Sequence, residues 1–216
     1  MSPRDIEIVD SIASGRKSMN GFSLIEILIV ITMITILTAI SIPYIYNSTK
    51  LYKTEDQSLQ IMDLMREAGQ IALTKRRTIR LDIDLSNGTA PVARLTDENG
   101  AATDVLAKTI PLHPFSEVRM DVAPTGVTVP NPPNYNLPVL VAGVWTLRFR
   151  SDGSVVNTAN LPISGTLLLW PPRAVPYNAA DLTPRNLSEV RAITVFGGSG
   201  AVRYWKHSGI TFVASQ

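Results

Sequence analysis

Apolar residues fall into three regimes along this 216-residue chain, and each regime predicts a different element. Over residues 24–42 they run almost unbroken: Glu26 is the only strongly polar residue, with Thr32, Thr35, Thr38 and Ser41 as mild interruptions. As a helix, residues 22–42 would be about 30 Å long, which matches the hydrocarbon thickness of a bilayer. Beyond Pro43 the helical spacing continues on one face only. Leu51, Ser58, Ile61, Met62, Met65, Ala68 and Ala72 recur at three- and four-residue steps. Lys50, Lys53, Glu55, Asp56, Asp63 and Glu67 fill the remaining faces, and the methionines read as ordinary core. Lys75-Arg76-Arg77 closes this helix, where positive charge complements the carbonyl end of its dipole.

From Thr78 the period changes to two. Ile79, Leu81, Ile83 and Leu85 alternate with polar neighbours, predicting a half-buried strand over residues 78–85. Asn87-Gly88 signals a tight turn, and residues 91–96 supply the return strand. Further strands are predicted at 117–122, 143–150, 155–156, 165–170, 190–196 and 201–206, with turns at Ser151-Asp152-Gly153 and Gly197-Gly198-Ser199-Gly200. Residues 124–138 hold five prolines and residues 171–184 four more, so both are loops, either subunit-contact segments or inert surface. The fold class expected is α+β. A long N-terminal helix, transmembrane in its first half and amphipathic in its second, packs on an antiparallel β domain of one sheet or two.

Composition narrows the chemistry more than the class. With 20 Lys+Arg against 18 Asp+Glu, the chain is near balance, which carries little weight as a nucleic-acid signal because such binders cluster positive charge on one face; Lys75-Arg76-Arg77 reads as a helix end rather than a dedicated binding patch. The absence of cysteine excludes disulfides, thiolate zinc sites and a cysteine nucleophile.

Three readings compete for the apolar span: a cleaved secretory signal, a plain anchor, or a pilin-type signal. Its length and the mostly polar residues before it disfavour the first, although Ala39-Ile40-Ser41 has the small-x-small form of a cleavage site. Arg16 and Lys17 precede the span with no acid between, which keeps the N-terminus cytoplasmic and sends the chain after Ile42 outward. Gly21 lacks a side chain, so a protease can approach its backbone at the membrane face. Ser23-Leu24-Ile25-Glu26 has the form of a capping box. Capping alone does not account for Glu26, because an acid at the edge of an apolar span is costly without a partner.

Gly21-Phe22-Ser23-Leu24-Ile25-Glu26 followed by an apolar run resembles the prepilin signal of type IV pilins and type II secretion pseudopilins. The resemblance implies cleavage between Gly21 and Phe22 by a prepilin peptidase, N-methylation of Phe22, and pairing of Glu26 with the Phe22 amine of a neighbouring subunit. Pro43 sits where such pilins commonly carry a helix-bending proline. The implied domains are a leader (1–21), a transmembrane helix (22–42), its amphipathic continuation (43–77) and a periplasmic β domain (78–216). The leader is long for this family and carries Asp5, Glu7 and Asp10. Its removal leaves the net charge at +2.

The later half resembles the GspH/FimT type of minor pseudopilins and minor pilins. The resemblance rests on the helix end at Lys75-Arg76-Arg77, the strand from Ile79, the Trp145-to-Ser154 segment, and the closing Val190-to-Arg203 hairpin. It implies a single-pass inner-membrane subunit that primes or caps a type II secretion pseudopilus, with prepilin peptidase and other pilins as partners. The alternative is a minor pilin of a type IV pilus acting in assembly or DNA uptake. DNA-binding relatives carry a Gly-Arg-x-Arg turn, where this chain reads Gly200-Ala201-Val202-Arg203. Arg203 and Lys206 are therefore the candidate nucleic-acid contacts, beside Tyr204 and Trp205, whose rings could stack on a base. Alternation of these residues across an edge strand is the simpler account. A membrane-tethered domain unrelated to pili is the third class.

No catalytic constellation is legible, and neither a cofactor nor a metal is expected. Asp82, Asp84, Ser86 and Gly88 have the outline of a calcium loop, but the glycine is one position late and Ala93 stands where a bidentate Glu is needed. Gly197 to Ala201 is no nucleophile elbow, and His113 and His207 stand apart from carboxylate clusters. The chain reads as the substrate of a peptidase and not as an enzyme.

Overall fold

A computed structural model of the protein describes residues 22–98, 103–173 and 176–215, and the side chains of all of these except 42–51. One helix, α1 (Leu24–Lys75), precedes nine strands: β1 (Thr78–Asp84), β2 (Val92–Glu98), β3 (Val105–Pro111), β4 (Val144–Phe149), β5 (Val155–Val156), β6 (Gly165–Leu169), β7 (Arg191–Val195), β8 (Val202–His207) and β9 (Phe212–Ser215). The chain divides into two compact units, Met1–Tyr44 and Ile45–Gln216.

In the first unit, α1 buries no side chain between Leu24 and Ser41, and this stretch has a mean hydropathy of 2.5. A helix that is apolar all round must be covered by protein or by lipid. Its hydroxyls are satisfied internally. Thr32 donates to Leu28 O at 2.6 Å, Thr35 to Ile31 O at 2.8 Å, Thr38 to Ile34 O at 2.7 Å and Ser41 to Leu37 O at 2.8 Å. Each would-be polar break is thus folded back onto the helix. The backbone of α1 runs helical through Pro43.

The second unit contains two antiparallel sheets, ordered β3-β2-β1-β4-β5 and β6-β7-β8-β9. The fold is α+β, with the two-sheet option realised. Period-two patterning builds the first sheet: Ile79, Leu81 and Ile83 stand opposite Phe149, Leu147 and Trp145 of β4, and Leu81 and Ile83 also opposite Leu95 and Ala93 of β2. These rows pack with Ile61, Leu64, Met65, Ala68 and Ala72 of α1 in one core. The inner residues of the second sheet, Leu167, Leu169, Ile193, Val195 and Tyr204, join the same core. The small side chains of Ala68 and Ala72 leave room for the bulky sheet residues facing them. The other face of the first sheet is an ion-paired ladder, with Arg80–Asp82 and Arg94–Asp84 at 2.9 Å and Arg148 clasping Glu98.

The helix stops at Lys75. Arg76 takes φ +53°, and Arg77 N–H donates to Ala72 O at 3.2 Å, the long bond of a Schellman ending. Arg76 and Arg77 are therefore terminator and not helix. Several expected strands shift by a residue or two. The strand expected at 117–122 does not form; only Arg119 pairs, as an isolated bridge to Trp170. Pro114 and Pro124 confine that segment, and a turn at 115–117 uses its first residues. Two strands absent from the sequence reading, β3 and β9, are outer strands of their sheets. The Asn87-Gly88 turn is a longer loop in which Asn87 Oδ1 accepts from Thr89 N–H at 3.1 Å and its hydroxyl at 2.7 Å.

Candidate functional site

The N-terminal end of α1 is built from backbone alone. Ser23 O accepts from Glu26 N–H at 3.0 Å and from Ile27 N–H at 3.2 Å. The reciprocal side-chain bonds of a capping box are not made. Glu26 is exposed, and among the described residues its carboxylate has neither hydrogen bond nor ion pair. Phe22 is exposed beside it. Gly21 and the residues before it lie outside the described residues. Residue 26 thus presents, among the described residues, an unpaired acid on a helical stretch whose other side chains are apolar or internally bonded hydroxyls, a group that favours a cationic neighbour.

In the second unit, the charged face of α1 grips both sheets' surroundings. Glu55 accepts from Lys206 Nζ at 2.6 Å and from Arg191 Nη2 at 3.3 Å. The Lys206 hydrogen bond, assisted by Arg191, holds the Glu55 carboxyl below its usual range. Glu117 accepts from Lys53 Nζ at 2.6 Å and lies 3.2 Å from His113 Nδ1, and the Lys53 bond holds its pKa down. Lys108 reaches Glu67 at 2.7 Å. Ser58 of the stripe is fully buried, as are Thr54 and Gln57 outside it, and Gln57 Oε1 accepts from His113 N–H at 2.6 Å.

The structure separates the residues considered for nucleic-acid contact. Arg203 is exposed. Lys206 is engaged with Glu55, and Tyr204 and Trp205 are buried, Trp205 Nε1 donating to Thr194 Oγ1 at 2.9 Å. β8 is not an edge strand, because β9 covers it. His207 is buried, which lowers its pKa, and its Nδ1 accepts from Gly209 N–H at 3.1 Å. Gly200 of the adjoining turn has φ +64°, and a Cβ there would meet Gly153 O at 2.7 Å, so the turn admits no larger residue.

One organising residue was not visible in the sequence. Arg119 is buried, binds Asp121 through two nitrogens at 2.9 and 3.1 Å, donates to Ala179 O at 2.8 Å, and lies over the rings of Trp170 and Tyr177. It pins the proline-rich 171–184 loop. The only hint was an Arg-x-Asp pair at strand spacing, which many surfaces share. Among the described residues, no group of three or more His, Asp or Glu side chains is placed to hold a metal ion.

Comparison with known proteins bears on the N-terminal segment. Residues 16–42 match the family described as the prokaryotic N-terminal methylation motif, the prepilin-type signal. The match supports a type IV pilin-like protein. Such a motif implies processing by prepilin peptidase and assembly with other pilins, and an apolar helix at this position is consistent with membrane anchoring. No curated protein and no solved structure matches the chain.

Proposed function

We propose that the chain is a minor pseudopilin that primes or caps a type II secretion pseudopilus, processed between Gly21 and Phe22. The observation that carries this reading is Glu26: an exposed acid, without a partner among the described residues, within a bilayer-length apolar helix that matches a prepilin-type motif. In assembly, Glu26 would meet the methylated amine of Phe22 on a neighbouring subunit. Two charges that are each costly in lipid become tolerable as a pair, so the pairing selects the correct stagger between helices. Residues 1–21 are then the leader, 22–42 the span entered from the cytoplasmic side, and 43–77 its continuation into a periplasmic β domain at 78–216. Two sheets on one amphipathic helix, in the order described, suit the GspH/FimT type. Membership of a type IV pilus is the neighbouring possibility. For a DNA-uptake role, support is confined to exposed Arg203, because Lys206 is bound to Glu55 and the aromatic rings beside it are buried.

Co-expression with a prepilin peptidase, followed by mass spectrometry of the N-terminus, tests the first step. The expected product begins at N-methylated Phe22, and Gly21→Val remains uncut. Glu26→Gln is expected to be cut normally yet fail to enter filaments. A chain that stays intact beside the peptidase would remove the reading.

A further inference from the structure

Two turns, one from each sheet, meet beside the C-terminal part of α1. One follows β4, where Arg150 N–H donates to Ser154 O at 2.9 Å and Gly153 N–H to Arg150 O at 3.0 Å. The other follows β7, where Gly200 N–H donates to Phe196 O at 2.8 Å. Val155 N–H ties the two together by donating to Gly197 O at 2.8 Å. Glycines keep the space between turns and helix open. Gly153 has φ +84°, and a Cβ there would meet nothing nearer than 4.0 Å; Gly69 of α1 borders the same space. The result is a cleft of about 280 Å³ with an apolar lining of Met65, Leu73, Phe149 and Val202. Met65 and Phe149 are buried in the core, whereas Leu73 is 53% exposed.

The polar part of this cleft is cationic. Arg66 and Arg150 both line it, both are exposed, and among the described residues neither guanidinium has a hydrogen bond or an ion pair. That sets them apart from Arg80, Arg94, Arg119, Arg148, Arg185 and Arg191, each of which meets an acid within 3.3 Å. The acids closest to them in sequence do not supply the missing charge. Asp152 is turned to Ser154, accepting from its N–H at 2.9 Å and its hydroxyl at 2.5 Å, and Asp63 makes no ion pair among the described residues. Guanidinium pairs with carboxylate through two parallel hydrogen bonds, and a cleft lined by one sign of charge draws the opposite sign into it. Beside an apolar floor, two such groups are complementary to an occupant that carries carboxylate next to hydrocarbon. The volume admits one side chain with its peptide unit, because roughly 150 Å³ already accepts benzene.

We propose that the cleft between α1 and the two turns receives an extended segment of a different subunit of the assembly. That segment carries an apolar side chain, seated against Leu73 and Phe149, beside Asp or Glu residues that pair with Arg66 and Arg150. A contact made with a different chain does not repeat from copy to copy, as a priming or capping subunit requires. The inference deepens that reading and rests on it for its setting.

Full-length chain carrying a photo-crosslinker at position 70, where exposed Gln70 borders the cleft, is expressed with prepilin peptidase and its assembly partners. It is irradiated, and the captured peptide is sequenced by mass spectrometry. The expected peptide belongs to another pilin-like subunit and has Asp or Glu beside the attachment point. Its yield should fall about tenfold in the double variant Arg66→Glu/Arg150→Glu and return when the captured acids are changed to lysine, a rescue that a misfolded variant would not allow. With both arginines in place, the yield should fall as salt is raised. Capture of a segment without acids, of a second copy of this chain, or of a protein outside the assembly overturns the choice of occupant. A yield unchanged by charge reversal or by salt, or a loss that lysine does not reverse, overturns the pairing. No capture by chain that is cut at Phe22 and assembled overturns this inference and leaves the filament reading in place. Capture of the acidic segment by uncut chain supports the cleft and removes the filament reading; no capture by uncut chain overturns both.

Discussion

Trp145 and Trp170 are both fully buried, but they differ at the indole nitrogen. Trp170 Nε1 donates to Val122 O at 2.9 Å and its ring lies under Arg119, whereas Trp145 Nε1 has no partner among the described residues. Trp170→Phe orphans a carbonyl and loosens Arg119; Trp145→Phe deletes a donor that was already unsatisfied. The first should cost more than the second by about 1–2 kcal/mol in denaturant unfolding of the detergent-solubilised chain. At this scale the sequence was legible where chemistry clashed with its surroundings. Glu26 stood out because capping alone does not account for an acid in an apolar run. Arg119 did not, since its partners at Ala179, Trp170 and Tyr177 come from fifty or more residues away.

Among the elements, α1 was legible because its period persists for many turns. Its stripe is buried from Ile61 to Ala72, while the side chain of Leu51 lies outside the described residues. Ala68 and Ala72 hold helix and sheets close, so Ala68→Leu or Ala72→Leu should cost about 1–3 kcal/mol through overpacking, read from the same unfolding curves. Glu55→Gln leaves buried Arg191 without its acid. With Glu55 itself 30% exposed, solvent softens that loss to about 1–2 kcal/mol. The strands divide by burial. β1 and β4 bury alternate residues and announced themselves by alternation. β6 and β7 are buried on both faces, so they show no alternation and carry even Thr166, Arg191 and Thr194 inside. β3 is exposed almost throughout, so no pattern of its own marks it; only pairing with β2 makes it a strand. The same holds for β9. The segment 117–122 failed in the opposite sense, as its apolar residues are buried by loop packing and not by a ladder.

For the molecule as a whole, three groups around α1 and β8 contribute to the response to acid. Glu55 and Glu117 titrate below their ordinary value of 4.5 in the folded chain, because lysine hydrogen bonds favour their charged forms. Their contribution is complete above that pH and is lost as pH falls through the lowered values. His207 is also shifted down, from 6.5, by burial that favours the neutral ring. Its contribution is complete above pH 6.5 and declines as pH falls from there to its folded value. The thermal midpoint of the solubilised chain should therefore fall in two stages from pH 7 to 3, the first beginning near 6.5. His207→Gln should erase the first stage and leave the second.

The hydroxyls of the apolar helix carry a final consequence. Thr32, Thr35, Thr38 and Ser41 each spend their donor on a carbonyl one turn back, which already has its backbone amide. Such a bond can be released without orphaning the carbonyl, and the freed hydroxyl can serve an adjacent helix. The span is therefore equipped for two solvents. In an apolar medium these four hydroxyls present no unmet polarity, and among other helices they can exchange four internal bonds for four external ones. Passing from one setting to the other requires no change in the helix backbone, only a rotation about each χ1.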